Sequence, residues 1–272
     1  IHPAYIGFAF LTSRQISFSF WLFFIGGSLL FGLLSILGYD IPAAALGVTF
    51  GPTLTRPEEM QMVGAYGAFF LFILWLARHH LLHVVRAAFR HPAEPAAPEE
   101  WFSIRTAFWG LVAGSAGLVL WLQQMGLGPW TALALVAASF LTLIVASRII
   151  AQGGLAYFTL TVAPLDGLMT FLGPKAFGAA GMLVAAVVHT ALFLDLRESL
   201  MPSLVHAGSV TQRLGARRRM NGVMGLTLVA GLAVSLVAML ALCYKYGIRE
   251  LGLDWATSTT LNTYENVVQL IE

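Results

Sequence analysis

LAYFTLTVAPLDGLMTFLG, residues 155–173, has the length and apolar character of a bilayer crossing, but Pro164 and Asp166 interrupt it. A spanning helix needs about 20 mostly apolar residues. A proline inside one removes a backbone hydrogen bond and crowds the preceding turn. The spacing therefore predicts a broken helix, and the topology of the whole chain depends on how this stretch is placed.

Upstream of it lie Arg148, Gln152 and Gly153, and downstream comes Lys175. An apolar run at 176–194 follows, closed by Asp195, Arg197 and Glu198. Five further apolar runs, at 15–37, 60–77, 104–122, 130–145 and 222–244, have helix length. The segment 196–220 is amphipathic and then basic, ending in Arg217, Arg218 and Arg219. Residues 250–272 are polar, with Asn262 and Glu265 in capping-box spacing for a short terminal helix.

Composition supports lipid as the solvent. Hydrophobic residues make up 58% of the 272-residue chain and charged residues 10%, against about 25% charged in soluble domains. Inside a bilayer every backbone polar group must be satisfied internally, so spans are helices or closed barrels. Barrel strands alternate apolar with polar residues, whereas these runs are continuously apolar. The expected fold is an all-α, polytopic transmembrane helical bundle, one domain over 1–272, of about seven spans with one broken.

Lys and Arg favour the cytoplasmic side. With Arg14, residues 78–105, Arg148 and residues 213–219 inside, the alternation closes if 155–173 crosses. A re-entrant 155–173 combined with one miscounted span fits nearly as well. The expected setting is the bacterial inner membrane, with the N-terminus inside and the C-terminal tail outside. The net charge of +2 is too small to argue for nucleic acid. The single cysteine, Cys243, excludes a disulfide framework and any CxxC motif. The chain starts at Ile1 without a signal-peptide pattern, and both ends read as cut.

Three groups of residues could carry chemistry. In the first, Arg148 and Gln152 share a helix face ahead of the break at Pro164, with Asp166 beside it. Transporters use such breaks to bind ions and substrates, and an intramembrane carboxylate needs a partner or a cavity. The plainer alternative is a kink near the interface, with Asp166 capping the next turn in water. In the second, His189 lies deep in its run with Phe193 and Arg197 on the same face. It could ligate haem, relay protons or hydrogen-bond to another helix. In the third, His79, His83, Arg86 and Arg90 form one stripe with His80 alongside. That is a basic face at the membrane surface, and its cations disfavour a bound metal or a haem at His79/His83. No metal site and no cofactor is expected. No carboxylate pair, Ser-His-Asp set, Walker loop or dinucleotide motif occurs, so the chain does not read as an enzyme. Gly110, Gly114 and Gly117, and Gly178, Gly181 and Ala185, are spaced for close helix packing.

Several stretches resemble one family. They include Ile6-Gly7, Ser17-Phe18-Ser19-Phe20-Trp21, Gly64-Ala65-Tyr66, and Leu74-Trp75-Leu76-Ala77-Arg78-His79-His80-Leu81. Ser103-Ile104-Arg105-Thr106-Ala107 resembles the family's entry to the next span, and Arg148 with Gln152 and Gly153 resembles another of its segments. His189-Thr190, Leu194-Asp195-Leu196-Arg197 and Met201-Pro202 continue the likeness. These resemble DUF6785/DUF6784, bacterial polytopic membrane proteins distantly similar to oligopeptide (OPT) transporters. The resemblance implies a transporter-like protein that moves a small solute or peptide along a path formed by Arg148, Gln152, Gly153, Pro164, Asp166, His189, Asp195 and Arg197. It also implies Glu where Gln152 stands, a departure that weakens cation coupling there. Family members are longer, so the chain reads as a fragment or half of their architecture, completed by a second half-chain or other membrane subunits. The other expectation is a structural subunit of an electron-transfer or photosynthetic complex, packing lipids, pigments or partner helices, with haem at His189 in its redox form.

Overall fold

The computed structural model describes residues 7, 10, 13–39, 52, 59–90, 102–153, 162–193, 199–212, 217–247 and 255–272. Among the described residues the secondary structure is helical: α1 (Arg14–Ile36), α2 (Met60–Phe89), α3 (Ile104–Gln124), α4 (Pro129–Gly153), α5 (Pro164–Leu172), a 3-10 turn (Pro174–Ala176), α6 (Gly178–Phe193), α7 (Leu200–Gln212), α8 (Arg217–Tyr246) and α9 (Trp255–Ile271). Five of these (α1 to α4, and Gly222–Tyr246 within α8) are long and apolar enough to cross a membrane, and α6 is a shorter apolar helix. The chain is an all-α, multi-pass membrane protein.

The helix ends follow local chemistry. Ser103 caps α3: its Oγ accepts from the backbone N–H of Thr106 at 3.2 Å, satisfying one orphan donor of the first turn. At the other end Gly126 has a φ of +116°, a left-handed conformation that glycine adopts without a Cβ penalty. Leu127 N–H donates to Leu122 O and Gly126 N–H to Gln123 O, the paired bonds of a Schellman motif. Pro129 then opens α4, where its missing N–H costs nothing.

α4 is the central helix, packing against α2, α3, α5 and α7. In its first half Ala132, Leu135 and Val136 join Leu165 and Met169 of α5, Met182, Ala185 and Ala186 of α6, and Val267 of α9 in one buried cluster. In its second half Ala146 packs with Ala163 and Phe193. Small residues allow this density. A Cβ on Gly181 would stand 3.3 Å from the carbonyl oxygen of Gly126, so α6 runs against the α3–α4 turn at backbone contact. Gly110, Gly114 and Gly117 of α3 face open space among the described residues.

The interrupted stretch differs from a full crossing. Residues 155–161 lie outside the described residues, and the helix that follows starts at Pro164. At 1.5 Å per residue it is about 14 Å long, half of a bilayer core. α5, the 3-10 turn and α6 form a helical hairpin. The expected run at 60–77 extends as helix to Phe89, and that at 130–145 to Gly153.

The C-terminal segment also departs from expectation. α9 begins at Trp255, so Asn262 and Glu265 lie inside the helix and do not form its N-terminal capping box. Thr263 and Val267 are buried one turn apart. This stripe seats α9 along α6, with the Thr263 and Thr190 hydroxyls 3.2 Å apart. α9 also packs against the 3-10 turn ahead of α6.

Candidate functional site

The break at Pro164 sets the site. The residue before a proline avoids helical geometry, and Ala163 is extended, with φ −83° and ψ 164°. Pro164 then occupies the first helical position. Asp166, two residues on, turns back, and its Oδ2 accepts from the backbone N–H of Ala163 at 3.1 Å. A carboxylate in a first turn also meets the positive end of the helix dipole. Asp166 thus caps the helix, as one expectation held, but it does so in the interior and not in water: the residue is 2% exposed.

The α5–α6 hairpin brings Asp166 to His189. Asp166 Oδ1 lies 3.9 Å from His189 Nδ1, and both side chains are buried. That distance allows an ion pair but is too long for a hydrogen bond. His189 Nδ1 has no hydrogen-bond partner among the described residues, and neither has Ser147 Oγ on α4. A buried polar atom without a partner is costly and marks a point where a small movement or a proton changes the energy.

A cleft of about 320 Å³ opens on the other side of the break. Tyr66 and Gly67 of α2, Leu141 and Thr142 of α4, and Pro164 and Gly167 of α5 contribute to its wall. Its surface is almost wholly apolar.

The other candidate residues are dispersed. Gly153 is buried, but Arg148 and Gln152 are exposed on the last turns of α4. The candidate residues seen together at the break are Asp166 and His189. Asp195 and Arg197 lie outside the described residues. His79, His80, His83, Arg86 and Arg90 are all exposed at the end of α2. His189 is buried beside Asp166 and is not among the residues lining the cleft. Among the described residues no three His, Cys, Asp or Glu side chains gather as a metal site. Sequence reading missed Tyr66 and Thr142 as cleft residues, Ser147 as a buried hydroxyl, and the Thr190–Thr263 contact. Tyr66, Thr142 and Thr190 sit in apolar runs with no local signal, Ser147 lies just past one and Thr263 in a polar segment, and only helix packing turns them inward.

The model of a family of unknown function, DUF6785, matches residues 1–272. The chain belongs to the DUF6785 family. No curated protein and no solved structure matches it. In this DUF6785 member the buried Asp166–His189 pair lies beside the Pro164 break.

Proposed function

We propose that this DUF6785 protein is a non-enzymatic, transporter-like carrier of the oligopeptide-transporter kind, moving a small solute or peptide across the bacterial inner membrane. The observation that carries the reading is the buried carboxylate of Asp166, 3.9 Å from His189 at the start of a half-length helix. Ionisable groups at membrane depth are expensive, and half-helices at such depth border ion and substrate paths in carriers. Asp166 and His189 take the coupling cation, and the adjoining cleft at Tyr66, Thr142 and Pro164 takes the apolar body of the solute. The basic residues at the ends of α2 and α4 face the cytoplasm in this reading. The test is uptake of a di- and tripeptide pool by proteoliposomes holding the full chain. Uptake above empty vesicles that Asp166→Ala abolishes is expected. Wild-type uptake no better than empty vesicles overturns the proposal.

A second reading has its own observation. Among the described residues, α1 has no buried residue and the apolar window of α8 is entirely unburied. Such faces meet lipid or the helices of other subunits, which favours a structural subunit of a larger membrane complex. Stoichiometric partner chains in material extracted from native membranes support this reading. A chain that runs alone or as a homodimer rejects it.

A further inference from the structure

The basic residues of α2 gather in its C-terminal turns. α2 has 30 residues, or about 45 Å at 1.5 Å per residue. A hydrocarbon core is about 30 Å thick, so the last turns of α2 rise into the headgroup layer. Those turns hold Arg78, His79, His80, His83 and Arg86, all exposed, and no Asp or Glu occurs between Met60 and Phe89.

Aromatic residues mark the level at which this face leaves the hydrocarbon. Trp75 is exposed, with the Arg78 guanidinium 4.4 Å from its ring centroid. Arg78 also donates to the Trp75 carbonyl oxygen at 2.9 Å, which fixes the cation at the aromatic belt. At the end of α2, Phe89 packs edge-on against Phe108 and Trp109 of α3, at 5.9 and 5.5 Å. Tryptophans gather at the membrane interface, and cations just beyond them meet headgroup phosphates. Arg105, in the first turn of α3, stands at the same end.

We propose that this face binds anionic phospholipid headgroups, with Arg78 and Arg86 as its principal cations and His79 and His83 widening it. The aromatic anchors, and a helix that carries basic but no acidic residues of its own, favour a lipid over a soluble anion. The occupant carries acyl chains that cover the exposed Trp75 and Phe72 faces below the headgroup. Glu94, Glu99 and Glu100 follow in sequence, and if they neutralise the face it shows no lipid preference.

The test uses the purified full chain in mixed micelles of equal phosphatidylglycerol and phosphatidylcholine, with bound lipid counted by native mass spectrometry. Wild type is expected to hold phosphatidylglycerol in roughly fivefold excess or more. Arg78→Gln/Arg86→Gln is expected to lose most of that excess, and Lys245→Gln on α8 to keep it. His79→Gln/His83→Gln, expected to lower it partially, serves if the arginine variant fails to fold by circular dichroism. Equal lipid binding by wild type overturns the proposal, as does an unchanged excess in the arginine or histidine variant. Displacement of phosphatidylglycerol by inorganic phosphate also overturns it, because it identifies a site for a soluble anion.

Discussion

Asp166 Oδ2 holds the backbone N–H of Ala163 while its Oδ1 faces His189 Nδ1 across 3.9 Å. One carboxylate thus closes the start of α5 and supplies the polar neighbour of a buried imidazole. The two roles respond differently to substitution. Asp166→Ala leaves the Ala163 N–H without an acceptor in the interior, a loss of about 1–3 kcal/mol. Asp166→Asn keeps an oxygen in place and is expected to cost less than Asp166→Ala. Unfolding midpoints in detergent check the order. Equal losses would mean that the cap contributes nothing and only the charge matters.

Close approach at Gly181 gives a second expectation. Gly181→Val pushes its branches into the α3–α4 turn, where a Cβ alone already meets the Gly126 carbonyl oxygen at 3.3 Å. Overpacking of this kind costs about 1–3 kcal/mol. Gly114→Val faces open space and is expected to stay within about 0.5 kcal/mol of wild type. Thermal midpoints of the two variants in the same detergent decide it. A Gly114→Val that destabilises as much as Gly181→Val would contradict the packing of α6 on that turn.

Docking of α9 on α6 is open to cross-linking. The Thr190 and Thr263 hydroxyls are 3.2 Å apart, so cysteines at both positions bring their sulfurs within bonding reach. In a Cys243→Ser background, Thr190→Cys/Thr263→Cys is expected to form a disulfide on mild oxidation, read as a non-reducing gel shift after cleavage between the two sites. Thr190→Cys with Leu261→Cys, an exposed position on α9, is the control and is expected to cross-link poorly. Efficient linkage in both pairs would indicate a loosely held tail.

Truncating the stripe of α9 gives the energetic counterpart. Val267 is 4% exposed within the central cluster, and Val267→Ala is expected to cost about 1–2 kcal/mol. Val268 lies next to it but is 53% exposed, and Val268→Ala is expected to change little. Chemical unfolding of both variants tests the facing of the helix. A larger loss at Val268 would rotate α9 relative to this description.

The apolar runs of residues 15–37, 104–122 and 222–244 were legible because a bilayer crossing is a matter of composition and length within one segment. The break at Pro164 was legible for the same reason, since a proline's effect on its own turn is local. The pairing of Asp166 with His189 was not, because 22 residues separate them in sequence and a helical hairpin has to close before they meet. The exposure of Arg148 and Gln152 was not legible for a related reason. Their four-residue spacing says that they share a face, but not which way that face turns, and α4 turns it outward. At the C-terminus, the polar residues 250–272 predicted a short terminal helix, but nothing in them indicated what it would pack against. On α6 the buried Thr263 finds the Thr190 hydroxyl, so its polarity supports docking.

The sequence by itself determined that this is a multi-pass helical membrane protein and that its chain breaks at Pro164. Continuous apolar length and a missing backbone N–H are properties of the segment alone. Only the tertiary structure decided that Asp166 turns inward to His189, that Arg148 and Gln152 turn outward, and that α9 lies along α6. Those outcomes depend on which helix faces meet. Facing is set by the close packing of Gly181, Ala185 and Ala186 against neighbours distant in sequence.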